Sequence, residues 1–393
     1  MRVVWLCGPS GVGKSAAGFE IFARLGRDGV RAAYLDTDQI SLIHPPPPDG
    51  THHARARALA ELWPVFRAAG AGWLVVSGYV DTADDVLPYI PALPPGVVRV
   101  RLRAGEEELR RRFLGRGWLS ELVEDTVAEA RRLETSGVAG LVVDTDGLTV
   151  AEVAEQVLRL ATTEPEPPAT AADPAYTADP AAAHAHASEV LRGEERVPGL
   201  GVSGSPGRAE VVWLCGARGA GVSTAGYEVF RQVLASGVRA AYVDVRQISF
   251  LGPGPGGIDP AVASETLAAL WSVHRAAGAA CLIVAGPADD RDTLARYVEA
   301  LPGTAVTVCR LDAGPAALAE RLRLRALGRG PAIPGDDLAG RTPQEVRVLA
   351  EGAARQARDL RRAGVGDVRV DTDGLTPPQV AELVLKAAWR GSR

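Results

Sequence analysis

Val3-Val4-Trp5-Leu6-Cys7-Gly8-Pro9-Ser10-Gly11-Val12-Gly13-Lys14-Ser15 is an apolar run, then a stretch rich in glycine, then a lysine and a serine. An apolar run this short that ends at glycine reads as a strand buried on both faces. Lys14 to Leu25 has the periodicity of an amphipathic helix. The connection fits G-x-x-x-x-G-K-[ST] in the strand-loop-helix setting that gives the pattern its meaning. Its glycines let successive N–H groups turn inward around a phosphate, and the helix N-terminus adds partial positive charge. Lys14 then reaches the outer phosphates, and the Ser15 hydroxyl is placed to ligate Mg2+.

The same run returns further along the chain. Val211-Val212-Trp213-Leu214-Cys215-Gly216 repeats Val3 to Gly8 at an offset of 208 residues. At that offset Arg31-Ala32-Ala33-Tyr34-Leu35-Asp36 matches Arg239-Ala240-Ala241-Tyr242-Val243-Asp244, and Leu62-Trp63 matches Leu270-Trp271. Asp144-Thr145-Asp146-Gly147 and Asp371-Thr372-Asp373-Gly374 stand 227 residues apart, so the second copy carries an insertion, placed around Gly328 to Thr342. The reading is a duplicated unit. Its expected parts are an active copy over 1–161, a flexible Ala/Pro-rich tether over 162–208, and a degenerate copy over 209–393. His184 and His186 in the tether are too few to read as a metal tract.

Within the first copy, strands are expected at Val3 to Cys7, Ala32 to Asp36, Trp73 to Ser77, Val97 to Leu102 and Leu141 to Val143. Helices are expected at Lys14 to Leu25, Ala54 to Ala69, Glu106 to Leu114, Glu121 to Glu134 and Val150 to Leu160. Apolar strands alternating with helices form a parallel sheet covered on both faces. The fold class is therefore α/β, with two three-layer α/β/α domains of the P-loop NTPase type. Ligands are expected beyond the carboxyl ends of the strands.

Composition narrows the function. The 393 residues are 47% hydrophobic and 23% charged with a net charge of −5, which argues against nucleic acid as the main partner. No apolar run approaches membrane-spanning length, and the first residues leave no room for a secretory segment. The four cysteines lack metal-ligand spacing and read as buried thiols, so a cytoplasmic protein is expected.

Asp36 and Asp38 follow the second strand at i and i+2, facing the phosphate loop. One suits the metal side, and the other suits taking the proton of an attacking hydroxyl; a solvated turn with an Asp cap is the plainer alternative. Arg112 and Arg116 share a helical face and read either as lid arginines over a nucleotide or as a basic surface. The second copy has Val222 at the lysine position and Arg246 at the Asp38 position, so it reads as a pseudo-site. Arg218 on its loop either faces solvent or supplies a displaced cation. His44 to His53, with its run of four prolines, is either a rigid surface loop or the edge of an acceptor pocket.

Taken together, Gly8 to Ser15, Asp36-Thr37-Asp38-Gln39, the arginine helix and Asp144-Thr145-Asp146 resemble the small P-loop kinases of metabolites. That group contains shikimate, gluconate and adenylylsulfate kinases and chloramphenicol phosphotransferase. The resemblance implies that Gly8, Pro9, Ser10, Gly11, Val12, Gly13, Lys14 and Ser15 hold ATP and that Ser15 and Asp36 hold Mg2+. It gives Lys14, Asp38, Arg112 and Arg116 catalytic roles. Ser77-Gly78-Tyr79-Val80 departs from the glycine triplet of shikimate kinases, and no acidic residue ends the third strand. Two functions lead, a phosphotransferase acting on a small hydroxyl-bearing metabolite or an ATP-binding regulatory module with little turnover, and a third, a kinase acting on nucleic-acid ends, is weakened by the net negative charge. A pseudo-dimer of the two repeats within one chain is compatible with the tether but not required by it.

Overall fold

A computed structural model describes residues 1–80, 82, 84–94, 96–115, 122–138, 140–163, 209–253, 258–288, 290–330 and 333–389. The first half runs β1 (Arg2–Cys7), α1 (Lys14–Arg27), β2 (Ala32–Asp36), β3 (Ile43–His44), α2 (Thr51–Ala68) and β4 (Trp73–Ser77). A 3-10 turn (Asp84–Tyr89) follows, then β5 (Val98–Arg103), α3 (Glu106–Leu114), α4 (Val123–Thr135), β6 (Leu141–Asp144) and α5 (Val150–Thr163). The second half runs β7 (Ala209–Gly216), α6 (Val222–Ala235), β8 (Ala240–Asp244), β9 (Phe250–Gly252), α7 (Pro260–Ala276) and β10 (Cys281–Ala285). It continues with α8 (Arg291–Glu299), β11 (Thr304–Asp312), α9 (Pro315–Ala326), α10 (Pro343–Arg362), β12 (Val368–Asp371) and α11 (Pro377–Ala388).

Each half builds an α/β sheet with the same internal order. The two sheets read β6-β5-β1-β4-β2-β9 and β12-β11-β7-β10-β8-β3. Five strands of each are parallel, and their central members are buried along their length, as expected of a sheet covered by helices on both faces. The sixth strand comes from the opposite half. Phe250–Gly252 pairs antiparallel with Ala32–Tyr34, and Ile43–His44 pairs antiparallel with Ala240–Ala241. Tyr242 N donates to Leu42 O at 2.8 Å in the second of these pairings.

The cores follow the same plan. On one face of the first sheet Ala17, Ile21, Phe22, Val153 and Val157 of α1 and α5 pack on Val4, Leu6 and Val75; the second sheet has its own counterpart layer. On the other face, Trp5, Leu62, Trp63 and Phe66 join Trp213, Leu270 and Trp271 in one cluster drawn from both halves. α2 packs against α7 inside that shared layer.

Three sequence expectations need correction here. The proline segment is not simply a surface loop, because Ile43 and His44 are committed to the other half's sheet. α2 begins at Thr51 rather than Ala54, which puts His52 and His53 on its first turn. Arg218 is partly open to solvent but is not a free cation, since it pairs with Asp337. All four cysteines are buried and free. Arg116 and the tether from 164 to 208 lie outside the described residues. No described helix is long and apolar enough to cross a membrane.

Candidate functional site

The loop from Gly8 to Ser15 closes because its glycines allow it. Gly13 has φ 102° and precedes the first turn of α1, and a Cβ on Gly8 would lie 2.5 Å from the Leu102 carbonyl oxygen. A side chain at either position would strain the turn or strike the neighbouring strand. Lys14 Nζ donates to Pro9 O at 2.9 Å, so the ammonium folds back over its own loop. Burial lowers its pKa, and Asp38, Glu129 and Asp36 act in the opposite sense, which places Lys14 in a field of three carboxylates.

Ser15 Oγ donates to Asp36 Oδ2 at 2.6 Å. Tyr34 OH lies 2.8 Å from Ser77 Oγ and donates to Ser15 O at 3.3 Å, which ties the start of α1 to the ends of β2 and β4. Asp36 is buried, and its pKa is raised by desolvation and then by the Asp38 charge. A hydroxyl and a buried carboxylate in contact are oxygen donors of the kind that Mg2+ takes, so Ser15 and Asp36 could hold such an ion with the help of further oxygens from a ligand or water. Among the described residues no cluster of three or more His, Cys, Asp or Glu side chains could bind a metal without such help.

Asp38 is the exposed member of the pair, with 56% of its side chain open to solvent, and Arg55 of α2 holds it at 2.5 Å. Arg55 Nε also donates to Ser41 Oγ at 3.2 Å. The sequence reading missed Arg55. The signal was available, because the matching position in the second half, Ala263, has lost its charge together with the lysine and Asp38.

Arg112 is spent on structure. Its Nη1 donates to Val12 O at 3.1 Å and to Thr145 Oγ1 at 2.9 Å, Nη2 donates to Thr145 O at 2.7 Å, and Nε donates to Glu108 at 2.5 Å. Arg321 makes the same brace in the second half, to Ala220 O and Thr372. A further residue missed from sequence is Glu129 of α4. Its Oε1 accepts from Ser10 N at 2.8 Å, so a buried carboxylate caps an amide at the crest of the loop. One glutamate among several on that helix gave no sequence signal.

The second half keeps the loop shape with Val222 at the lysine position. Gly221 has φ 92°, and Tyr242 OH donates to Ser223 O at 3.1 Å. The amide of Arg218 is capped by Gln356 Oε1 at 2.9 Å, the counterpart of Glu129. The inserted segment folds over this loop. Asp337 pairs with Arg218, Gln247 Nε2 donates to Pro334 O at 3.1 Å, and Leu338 is buried.

No protein-family model and no curated protein matches the chain. Among solved structures it is similar to the tunicamycin resistance protein of Deinococcus radiodurans, at 18% identity over 40% of this chain and 94% of that one, with a TM-score of 0.32. It is also similar to shikimate kinase from Acinetobacter baumannii in complex with shikimate, at 19% identity over 42% of this chain and 94% of that one, with a TM-score of 0.31. Mycobacterium tuberculosis APS kinase in complex with AMPPNP and APS matches at 20% identity over 46% of this chain and 98% of that one, with a TM-score of 0.29.

Proposed function

We propose that the first half is an ATP- and Mg2+-dependent phosphotransferase acting on a small hydroxyl-bearing acceptor, and that the second half, a degenerate copy of the same unit, transfers nothing. The observation that carries this reading is the convergence of Lys14, the Ser15–Asp36 pair and the exposed Asp38 on one loop mouth. Val222 and Arg246 take the places of the lysine and the acceptor-side carboxylate in the other half.

The loop amides and Lys14 bind and orient the nucleotide phosphates. Ser15 and Asp36 would hold Mg2+, which when bound neutralises charge on the phosphate oxygens. Asp38, oriented by Arg55, takes the acceptor's hydroxyl proton as the acceptor oxygen bonds to the γ-phosphorus. The bond from that phosphorus to the bridging oxygen breaks, and its electron pair leaves with ADP. Arg112 stays braced to Val12 O and Thr145 and holds the shape of the loop rather than closing over it.

The test pairs two variants of the full chain. Lys14→Ala should weaken ATP binding, read by calorimetry. Asp38→Asn should keep nucleotide affinity and lose about 10²- to 10⁴-fold in phosphorylation of acceptors from a metabolite extract, read by mass spectrometry. Undiminished ATP affinity in Lys14→Ala would refute the site. Undiminished transfer in Asp38→Asn would remove its base.

A further inference from the structure

From Asp38 a connected set of side chains runs along α2 to the 3-10 turn. Asp38 pairs with Arg55, and Arg55 contacts Tyr89 OH. His52 Nδ1 lies 3.1 Å from the same hydroxyl, and its Nε2 lies 3.6 Å from Asp85 Oδ1. The His52 ring lies nearly parallel to that of Tyr79, at an interplanar angle of 18° and 6.2 Å between centroids.

The chain supplies its own control. At the 208-residue offset, the second half keeps the core aromatics as Trp213, Tyr242, Trp271 and Tyr297. Asp38, His52, Arg55, Tyr79 and Asp85 become Arg246, Pro260, Ala263, Pro287 and Thr293. The fold tolerates losing every member of this set but the buried Tyr89. What disappears along with the lysine is the polar wall; within it Asp85 also caps its own turn, accepting from Thr82 N at 2.8 Å and from Thr82 Oγ1 at 3.1 Å.

We propose that Asp38, His52, Tyr79 and Asp85 recognise the acceptor, and that the acceptor is a neutral polyhydroxylated ring, a sugar or cyclitol. This rests on the phosphotransferase reading and names its substrate class. The stacked, part-exposed His52 and Tyr79 rings supply apolar surface on which the C–H face of a saturated ring would lie. The two carboxylates accept hydrogen bonds from its hydroxyl groups. An anionic acceptor fits poorly. Arg55 is committed to Asp38 and Ser41, its side chain is only 11% exposed, and both carboxylates would repel a third.

The test uses the full chain with ATP and Mg2+ against D-glucose, myo-inositol, D-gluconate and shikimate, with phosphorylated product read by mass spectrometry. Saturation-transfer NMR with a non-hydrolysable ATP analogue reads acceptor binding independently of transfer. A neutral polyol should bind and be phosphorylated. Tyr79→Ala and Asp85→Asn should each raise its KM about tenfold or more while leaving ATP affinity unchanged, and Tyr79→Phe should restore binding. Polyol binding that is lost in both variants but gives no phosphorylated product would uphold the wall and refute the transferase. Preference for gluconate or shikimate, no polyol binding, or an unchanged KM in both variants would overturn the proposal.

Discussion

His274 on α7 stands where the first half has Phe66 on α2. The imidazole is 1% exposed, its Nε2 finds no partner among the described residues, and burial lowers its pKa from 6.5 to about 4. The folded state therefore disfavours the charged ring, and the unfolded chain binds the proton more readily. Stability is fully present above the unfolded value of about 6.5, falls as the pH drops toward 4, and levels off below that. The separation of the two pKa values corresponds to about 3 kcal/mol in all, of which about 2 kcal/mol is lost between pH 7 and pH 4.5. Acidification also titrates carboxylates, so the variant His274→Phe, which copies the first half, isolates the effect. Urea unfolding followed by tryptophan fluorescence at both pH values should show the variant losing about 2 kcal/mol less than the parent chain. It should also be more stable at neutral pH, since no unpaired ring nitrogen remains in the core. Equal losses in the two proteins would show that this ring is hydrated or paired, contrary to its placement.

Three further outcomes are expected. Glu129→Gln, which reproduces Gln356, keeps the cap on the Ser10 amide but removes an anion from the phosphate site, so ATP should bind about tenfold more tightly by calorimetry. Asp36→Asn relieves a buried carboxylate whose pKa is raised; that group costs stability as pH rises through its folded value, so the variant should melt higher at neutral pH while losing Mg2+-dependent nucleotide binding. Phe250→Ala removes a ring set 5.2 Å from Phe19 and 5.8 Å from Tyr34 across the exchanged strand, and should lower stability by about 2 kcal/mol in urea unfolding.

Much of the fold was legible because it rests on local signals. Val3 to Cys7 and Trp73 to Ser77 are short apolar runs ahead of a glycine, and Gly8 to Ser15 fits a strand-loop-helix spacing. β3 and β9 were not legible. Two or three residues are too few to show a period, and their partners lie about two hundred residues away. The 3-10 turn was missed for the same reason, since Asp84 to Tyr89 contains Pro88 and no helical stripe. At the site, Lys14, Ser15 and Asp36 follow from spacing, whereas Arg55 and Glu129 reach it by tertiary placement of α2 and α4. Only comparison of the two halves, position by position, singles out Arg55.

That comparison also bears on why a half without the lysine persists in the chain. An edge strand exposes a row of unpaired backbone groups and invites pairing with other molecules. Each sheet here has that edge covered by a short strand of the opposite half, and Trp5, Trp63, Trp213 and Trp271 share one core. The segment that carries Asp38 into α2, and with it Arg55 and His52, passes through β3 and is therefore held in register by Ala240 and Ala241 of the second sheet. A scaffold of this kind needs strands, an apolar face and an edge, but no phosphate-site cation. The substitutions to Val222 and Arg246 leave all of those intact. The β8 edge therefore does not depend on which residue stands at the lysine position, and the segment that carries Asp38 and Arg55 stays anchored to the second half.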